Sequence, residues 1–301
     1  MPSIAQYLDN GNEQTDIISG EVHTFGFVDS LRISQFDGGY VVSGSLSRFY
    51  YPNNIYPLDY HTTARAIEKL SDRLHLDMRN ANVTSLEFGT QFVMAKSPKM
   101  YLGKLGDIPR KVRVQGSPST LYYQGAGQSA RTRQREVLAF YDKVLDAKAK
   151  GMEIPKGLED ANLLKYELRL KGRLARQLRV QEVKASTLSD KGFFKALLNK
   201  WGEDYFAISK HHTMKTEIMS EIRSPKDAVN VFVARLMSKQ EKDEIADFVS
   251  ELKKYNVFAD AKCYSRVKAK LKELSSKASL SMTDEDIREL DDCIRNTIAN
   301  S

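Results

Sequence analysis

Two hydrophobic spacings divide this chain. Up to about residue 185, short apolar runs tend to alternate with polar residues, and beyond it apolar residues recur at three and four. The first 16 residues are polar and predict a loose start. Between residues 17 and 51, GEVHTFGFV, SLRISQF and GYVVSGSLSRFYY read as strands, with Asp37, Gly38 and Gly39 as a hairpin turn. A helix follows in TTARAIEKLSDRLHL, where Ile67, Leu70 and Leu74 share a stripe and Thr62 or Thr63 supplies the cap. NVTSLEFGTQFVM reads as a strand, a short helix follows at about residues 100–105, and KVRVQ and STLYYQ read as a strand pair. GAGQSARTRQR is an arginine-loaded loop, and EVLAFYDK is a strand running into a helix that Gly151 to Pro155 breaks.

After Ser189 the pattern predicts helices alone. DKGFFKALLNKW is the first, and Ser224 caps a second, with Pro225 at its first position and Asp227 at capping-box distance. Ile245, Phe248, Val249 and Leu252 form a third stripe. Thr283 caps a last helix carrying Ile287, Leu290, Ile294 and Ile298. The expected fold class is α+β: a mainly antiparallel sheet with flanking helices in residues 1–185, then a helical domain in residues 186–301.

Residues 163–179, LLKYELRLKGRLARQLR, change the picture. Strand alternation turns Leu164, Tyr166, Leu168 and Leu170 to one face, and Lys165, Glu167, Arg169 and Lys171 to the other. The second face reads as a cationic strip with Glu167 as its one acid. Arg173 and Arg176 fall in a following helix and serve DNA grip. Such a strip suits phosphate, and the acid gains a purpose if it holds a metal ion beside that phosphate.

Net charge supports a polyanionic partner. The chain of 301 residues carries +7 overall, but residues 91–180 hold 19 Lys and Arg against 8 Asp and Glu, leaving the remainder net acidic. Concentrated positive charge is the footprint of a nucleic-acid binder. Two cysteines, Cys263 and Cys293, give neither metal spacing nor a disulfide framework, which fits a reducing cytoplasm. No apolar run reaches the roughly 20 residues a membrane span needs, and the N-terminal residues carry no secretory pattern. A phosphate-binding glycine loop ending in Lys-Ser/Thr is absent. The five histidines form no His-hydrophobe-His pair, and His211-His212 reads as part of a polar loop.

Three strand segments carry the candidate chemistry. Glu87 in TSLEFGT leaves the core stripe, and Gly89 on its face lets a backbone or ligand approach. Tyr141 in VLAFYDK shares a face with small Ala139, with Lys143 two residues on. Glu167 is the third. Taken with Arg131, Arg133 and Arg135, these residues are an inventory for phosphodiester transfer. Two carboxylates, Glu87 and Glu167, can hold Mg2+ or Mn2+ through hard oxygens, and the ion would polarise the scissile phosphate. Nearby cations would favour a tyrosine phenolate. Tyr122 or Tyr123 would stack single-stranded DNA.

These segments, in this order, resemble the gene II/X replication initiators of filamentous phages and their plasmid relatives. The resemblance runs from GSLSRFYYPNN through AIEKLSDRL, VTSLEFGTQFVM, LYYQG and VLAFYDK to LLKYELRLKGRLARQL, roughly residues 44–180. It implies a rolling-circle initiator with a replication-initiator nuclease fold. Such a protein nicks one strand of a double-stranded origin, stays bound to the 5′ phosphate, leaves a 3′ hydroxyl primer and later reseals the displaced circle. It implies Tyr141 as nucleophile, Lys143 beside it, and Glu87 and Glu167 as the acids. Many relatives carry Asp where this chain has Glu87. Implied partners are origin duplex, single-stranded DNA and the host helicase and polymerase, without a membrane. The helical domain would bind DNA or mediate self-association. The competing readings are a non-catalytic origin-binding regulator on the same basic surface and an RNA-binding or plasmid-partition protein.

Overall fold

The computed structural model describes residues 5–15, 22–36, 39–51, 53, 55–210, 224–237, 244–281 and 285–300. His211, His212 and Thr283 lie outside them. The fold is α+β, with two antiparallel sheets flanked by helices, followed by helices. The first sheet is a four-stranded meander of β1 (Asp9–Thr15), β2 (Val22–Val28), β3 (Leu31–Phe36) and β4 (Gly39–Ser43). The loose start predicted from polarity is instead strand β1, exposed along its whole length and paired to β2. A strand solvated on both faces has no alternation to read.

The aromatic run after β4 is also not a strand. Leu46–Tyr50 form helix α1, because the Ser45 hydroxyl accepts the Arg48 amide and Leu46 and Phe49 turn one face into a core with Val28, Leu31 and Ile33. The cap and that burial outweigh the β preference of Phe and Tyr. Leu70 and Leu74 of helix α2 (Tyr60–Leu74) complete this core. The cap of α2 is Asp59 rather than a threonine: it accepts the Thr62 amide at 2.7 Å while the Thr62 hydroxyl accepts the Asp59 amide at 2.8 Å.

The second sheet has five strands in the order β5 (Ser85–Val93), β9 (Leu163–Lys171), β8 (Glu136–Asp142), β7 (Thr120–Gly125) and β6 (Lys111–Ser117). β6 to β8 form a meander, and β9 inserts between β8 and β5. A strand so placed is paired on both edges and covered on both faces. Helix α3 (Pro98–Leu102) packs on β7 and β8. Helix α4 (Ala130–Arg133), capped by Ser129, lies within the stretch read as a loop. Helix α5 (Lys143–Ala149), capped by Asp142, packs on β8 and β9. Helix α6 (Leu174–Leu178) follows β9.

Helix α7 (Lys191–Phe206) covers the apolar face of the sheet. Phe140 and Tyr166 stack at 4.3 Å, Tyr166 and Trp201 stack at 4.7 Å, and the Tyr166 hydroxyl donates to the Trp201 carbonyl at 2.9 Å. All three rings are fully buried. Lys200 of α7 also pairs with Glu136 of β8 at 3.2 Å. Asp190 caps α7 by accepting the Phe193 amide.

Contacts divide the chain into one unit of residues 1–209 with 292–301, and another of residues 210–291. The second holds helices α8 (Pro225–Met237), α9 (Glu244–Lys254) and α10 (Ala261–Ser281), with α10 packed on both others. Ser224 caps α8, its hydroxyl accepting the Asp227 amide at 3.2 Å. Of the stripe predicted in α9, Val249 is buried but Phe248 is exposed. In the last helix, α11 (Glu285–Ala299), Ile287, Leu290 and Ile294 are buried. No described helix is long and apolar enough to cross a membrane.

Because Trp201 joins α7 to the sheet, Trp201→Ala is expected to cost about 3–5 kcal/mol. A lowered urea midpoint checks it.

Candidate active site

Strand register places the candidate residues on one face. Glu167 lies opposite Gly89 on β5 and Ala139 on β8, Arg169 opposite Glu87 and Val137, and Lys165 opposite Gln91 and Tyr141. Small residues thus flank Glu167 on both sides. Gly89 is required by packing: a Cβ there would overlap the Tyr166 carbonyl oxygen and come within 2.8 Å of Glu167 Cα. Glu87, Tyr141, Lys143, Lys165, Glu167, Arg169 and Lys171 all line one cleft of about 1100 Å³.

Glu167 is the centre of this set. Its Oε1 accepts the Tyr141 hydroxyl at 2.9 Å and lies 3.7 Å from Lys165 Nζ. Its Oε2 accepts from Arg169 Nη2 at 2.8 Å and Nε at 3.0 Å. Burial by itself would push the carboxyl up, but Lys165 and Arg169 outweigh it and hold Glu167 below the usual carboxylate range. Arg169 lies 5.8 Å from the Tyr141 ring centre and 6.0 Å from that of Tyr122.

The strip expected on this face is not an open cationic surface. Lys165 is 7% exposed and Glu167 8% exposed, and the Lys165 ammonium donates to Gln91 Oε1 at 3.1 Å. Burial pushes the Lys165 amine down. Lys143, the first residue of α5, is 2% exposed, and burial lowers it as well. Its Nζ stands 3.6 Å from Asp146 Oδ2, a buried oxygen with no hydrogen bond among the described residues. Asp146 was not singled out from sequence, although its spacing of three from Lys143 and four from Lys150 marks a helical ion-pair site.

The expected phenolate is not favoured here. Burial, then the charge and the acceptor of Glu167, hold the Tyr141 hydroxyl far above its ordinary value, and Arg169 only partly opposes them. Tyr141 is a neutral phenol with its proton directed at a carboxylate. Tyr123 is no stacking surface: it is fully buried, and its hydroxyl donates to the Gly106 carbonyl at 2.7 Å. Tyr122 is half-buried.

The remaining arginines stand outside the cleft lining. Arg131 and Arg133 belong to α4, and Arg133 donates to the Gln128 carbonyl at 2.6 Å. The Arg135 carbonyl accepts the Lys171 amide at 2.8 Å, so this segment ends beside the end of β9, where Arg173 and Arg176 follow. Arg131, Arg173 and Arg176 are exposed.

The two acids do not form a metal cage as they stand. Arg169 bridges them, with Nε 3.8 Å from Glu87 Oε1 and Nη2 2.8 Å from Glu167 Oε2. Both oxygens of Glu167 are already engaged. Among the described residues, no group of three or more His, Cys, Asp or Glu is arranged to hold a metal ion.

The family model described as replication-associated protein G2P, N-terminal, matches residues 32–189, more than half of the chain. The chain belongs to that family. The matched segment contains both acids, Tyr141, Lys143 and all of the second sheet. No curated protein and no solved structure gives a match.

The lowered Glu167 carboxyl fixes a pH dependence. Its contribution to stability is present above about pH 4.5, the value for a free Glu side chain, and is lost as pH falls through the lower folded value. Glu167→Gln, which takes the nearest anion from Lys165 and leaves Arg169 only the longer contact to Glu87, is expected to cost about 3 kcal/mol at pH 7. Urea unfolding at pH 7 and at pH 3 should show the difference from wild type shrinking in acid.

Proposed function

We propose that this protein initiates rolling-circle DNA replication by nicking one strand of an origin, with Tyr141 as nucleophile. The observation that carries this reading is the hydrogen bond from the Tyr141 hydroxyl to Glu167, set in a cleft whose lining carries more cations than acids. Lys143, Lys150, Lys165, Arg169, Lys171 and Lys191 line the cleft against the acids Asp59, Glu87, Asp146 and Glu167, and Lys150 and Lys171 stand exposed at the rim. A phosphodiester supplies the missing negative charge. A neutral ligand would leave the cationic excess uncompensated.

In the proposed reaction, Tyr141 Oη attacks the phosphorus while its proton passes to Glu167 Oε1. The bond from phosphorus to the 3′ oxygen breaks, and that oxygen takes up a proton from water to become the 3′ hydroxyl primer, Glu167 returning its proton to the solvent. The 5′ phosphate stays esterified to Tyr141. Attack by a 3′ hydroxyl on this ester reverses the chemistry and reseals a strand without ATP. Lys143 and Arg169 would stabilise charge building on the phosphoryl oxygens, because cations removed in part from water act more strongly than solvated ones. Arg131, Arg133, Arg135, Lys171, Arg173 and Arg176 would grip the flanking DNA, giving salt-sensitive binding. Host helicase would unwind the duplex and host polymerase would extend the primer, and the helical unit would contribute duplex binding or self-association.

The paired acids Glu87 and Glu167 lead to the expectation that nicking needs Mg2+ or Mn2+. Loss of nicking in chelator, restored by Mg2+ in wild type but not in Glu87→Gln, would locate the ion at Glu87. Retained nicking in chelator would remove the ion from the reading.

Tyr141→Phe should lower nicking of supercoiled origin plasmid by at least about 10³-fold while leaving DNA binding intact. A protein–DNA adduct that survives SDS but not protease separates the enzyme from a non-catalytic regulator. Undiminished nicking by Tyr141→Phe would overturn the assignment.

A further inference from the structure

Aromatic rings on the α7 side of the sheet form a ladder from the core to the surface. Trp201 lies 6.5 Å from Phe88, Phe88 lies 5.4 Å from Phe194, and Phe194 lies 5.9 Å from Tyr60. The last step, Tyr60 to His61, is 4.1 Å. Trp201 is fully buried, Phe88, Phe194 and Tyr60 are half-buried, and His61 is exposed. Lys191 places its ammonium 5.9 Å from the centre of the Tyr60 ring. These residues line the same cleft as Tyr141 and Glu167, and β5, with its Gly89, is the edge strand between the two faces.

We propose that the His61 end of this ladder is a stacking platform for a base of single-stranded DNA whose phosphate lies at Tyr141. The proposal rests on the nicking reading and extends it by naming what holds the strand beyond the reacting phosphate. A ring already packed edge-on or tilted against its neighbours loses little freedom when a base adds to it. The exposed ring offers a π-face, which every base can use, and Lys191 beside it suits the backbone phosphate. Paired bases in a duplex hide their faces in the helix stack, so the platform selects an unpaired strand. The chain would pass over edge strand β5, where Gly89 keeps the surface low.

The test is fluorescence anisotropy with a labelled oligothymidylate and with the same oligonucleotide carrying one abasic site at each position in turn. In wild type, one abasic position should weaken binding by about tenfold. In His61→Ala the intact oligonucleotide should bind about tenfold more weakly, and the abasic penalty should vanish. His61→Phe should restore both. His61 is exposed, and thermal melting of each variant verifies folding. If His61→Ala binds like wild type, or keeps the abasic penalty, the platform is wrong. The nicking reading fails on a different result, namely undiminished cleavage by Tyr141→Phe, whatever the oligonucleotide binding shows.

Discussion

An ionised carboxylate held in the middle of a sheet is the constraint from which the site follows. Glu167 sits on β9, which is paired on both edges. Removing such a charge from water is costly unless each oxygen finds donors and opposite charge lies close by. Tyr141, Lys165 and Arg169 meet that demand. Gly89 and Ala139, directly opposite on the neighbouring strands, leave room for them. The residues that look catalytic are thus also the residues that make Glu167 tolerable.

That arrangement sets the starting state of the chemistry. Glu167 is kept ionised by its cations, and Tyr141 is kept neutral by burial and by Glu167. A proton therefore rests on the phenol and points at its acceptor. Arg169 is shared between Glu167 and half-exposed Glu87 at the mouth of the cleft. An incoming phosphate would compete for this guanidinium, which couples ligand binding to the freedom of both acids. Lys143 stands off from Asp146 at more than hydrogen-bond distance, leaving an ammonium able to turn to another anion.

The two faces of the sheet divide the work. One carries the charged cluster, roofed in part by α5. The other carries stacked rings under α7, which hold the sheet by dispersion and area burial. Because β5 is an edge strand, the charged and aromatic surfaces meet around it in one cleft. A polynucleotide has both phosphate and base faces to offer such a pair of surfaces.

Alternation in LLKYELRLK was enough to separate the buried Leu164, Tyr166, Leu168 and Leu170 from Lys165, Glu167 and Arg169, because side-chain direction in a strand is a local property. The strands of the second sheet were also legible along the chain from their apolar runs, and the cap at Ser224 follows local rules of the same kind. Local pattern misled where a long-range partner decided. β1 exists only by pairing with β2, and Phe49 turns its segment helical by reaching a core built from β2, β3 and α2. Sequence by itself determined which side chains share a face. Only the tertiary structure decided that β9 is central, so that the charged face is buried rather than open, that Tyr141 meets Glu167, and that Arg169 stands between the two acids. Those outcomes depend on which strand inserts beside which, a choice set by packing between segments some eighty residues apart in the chain.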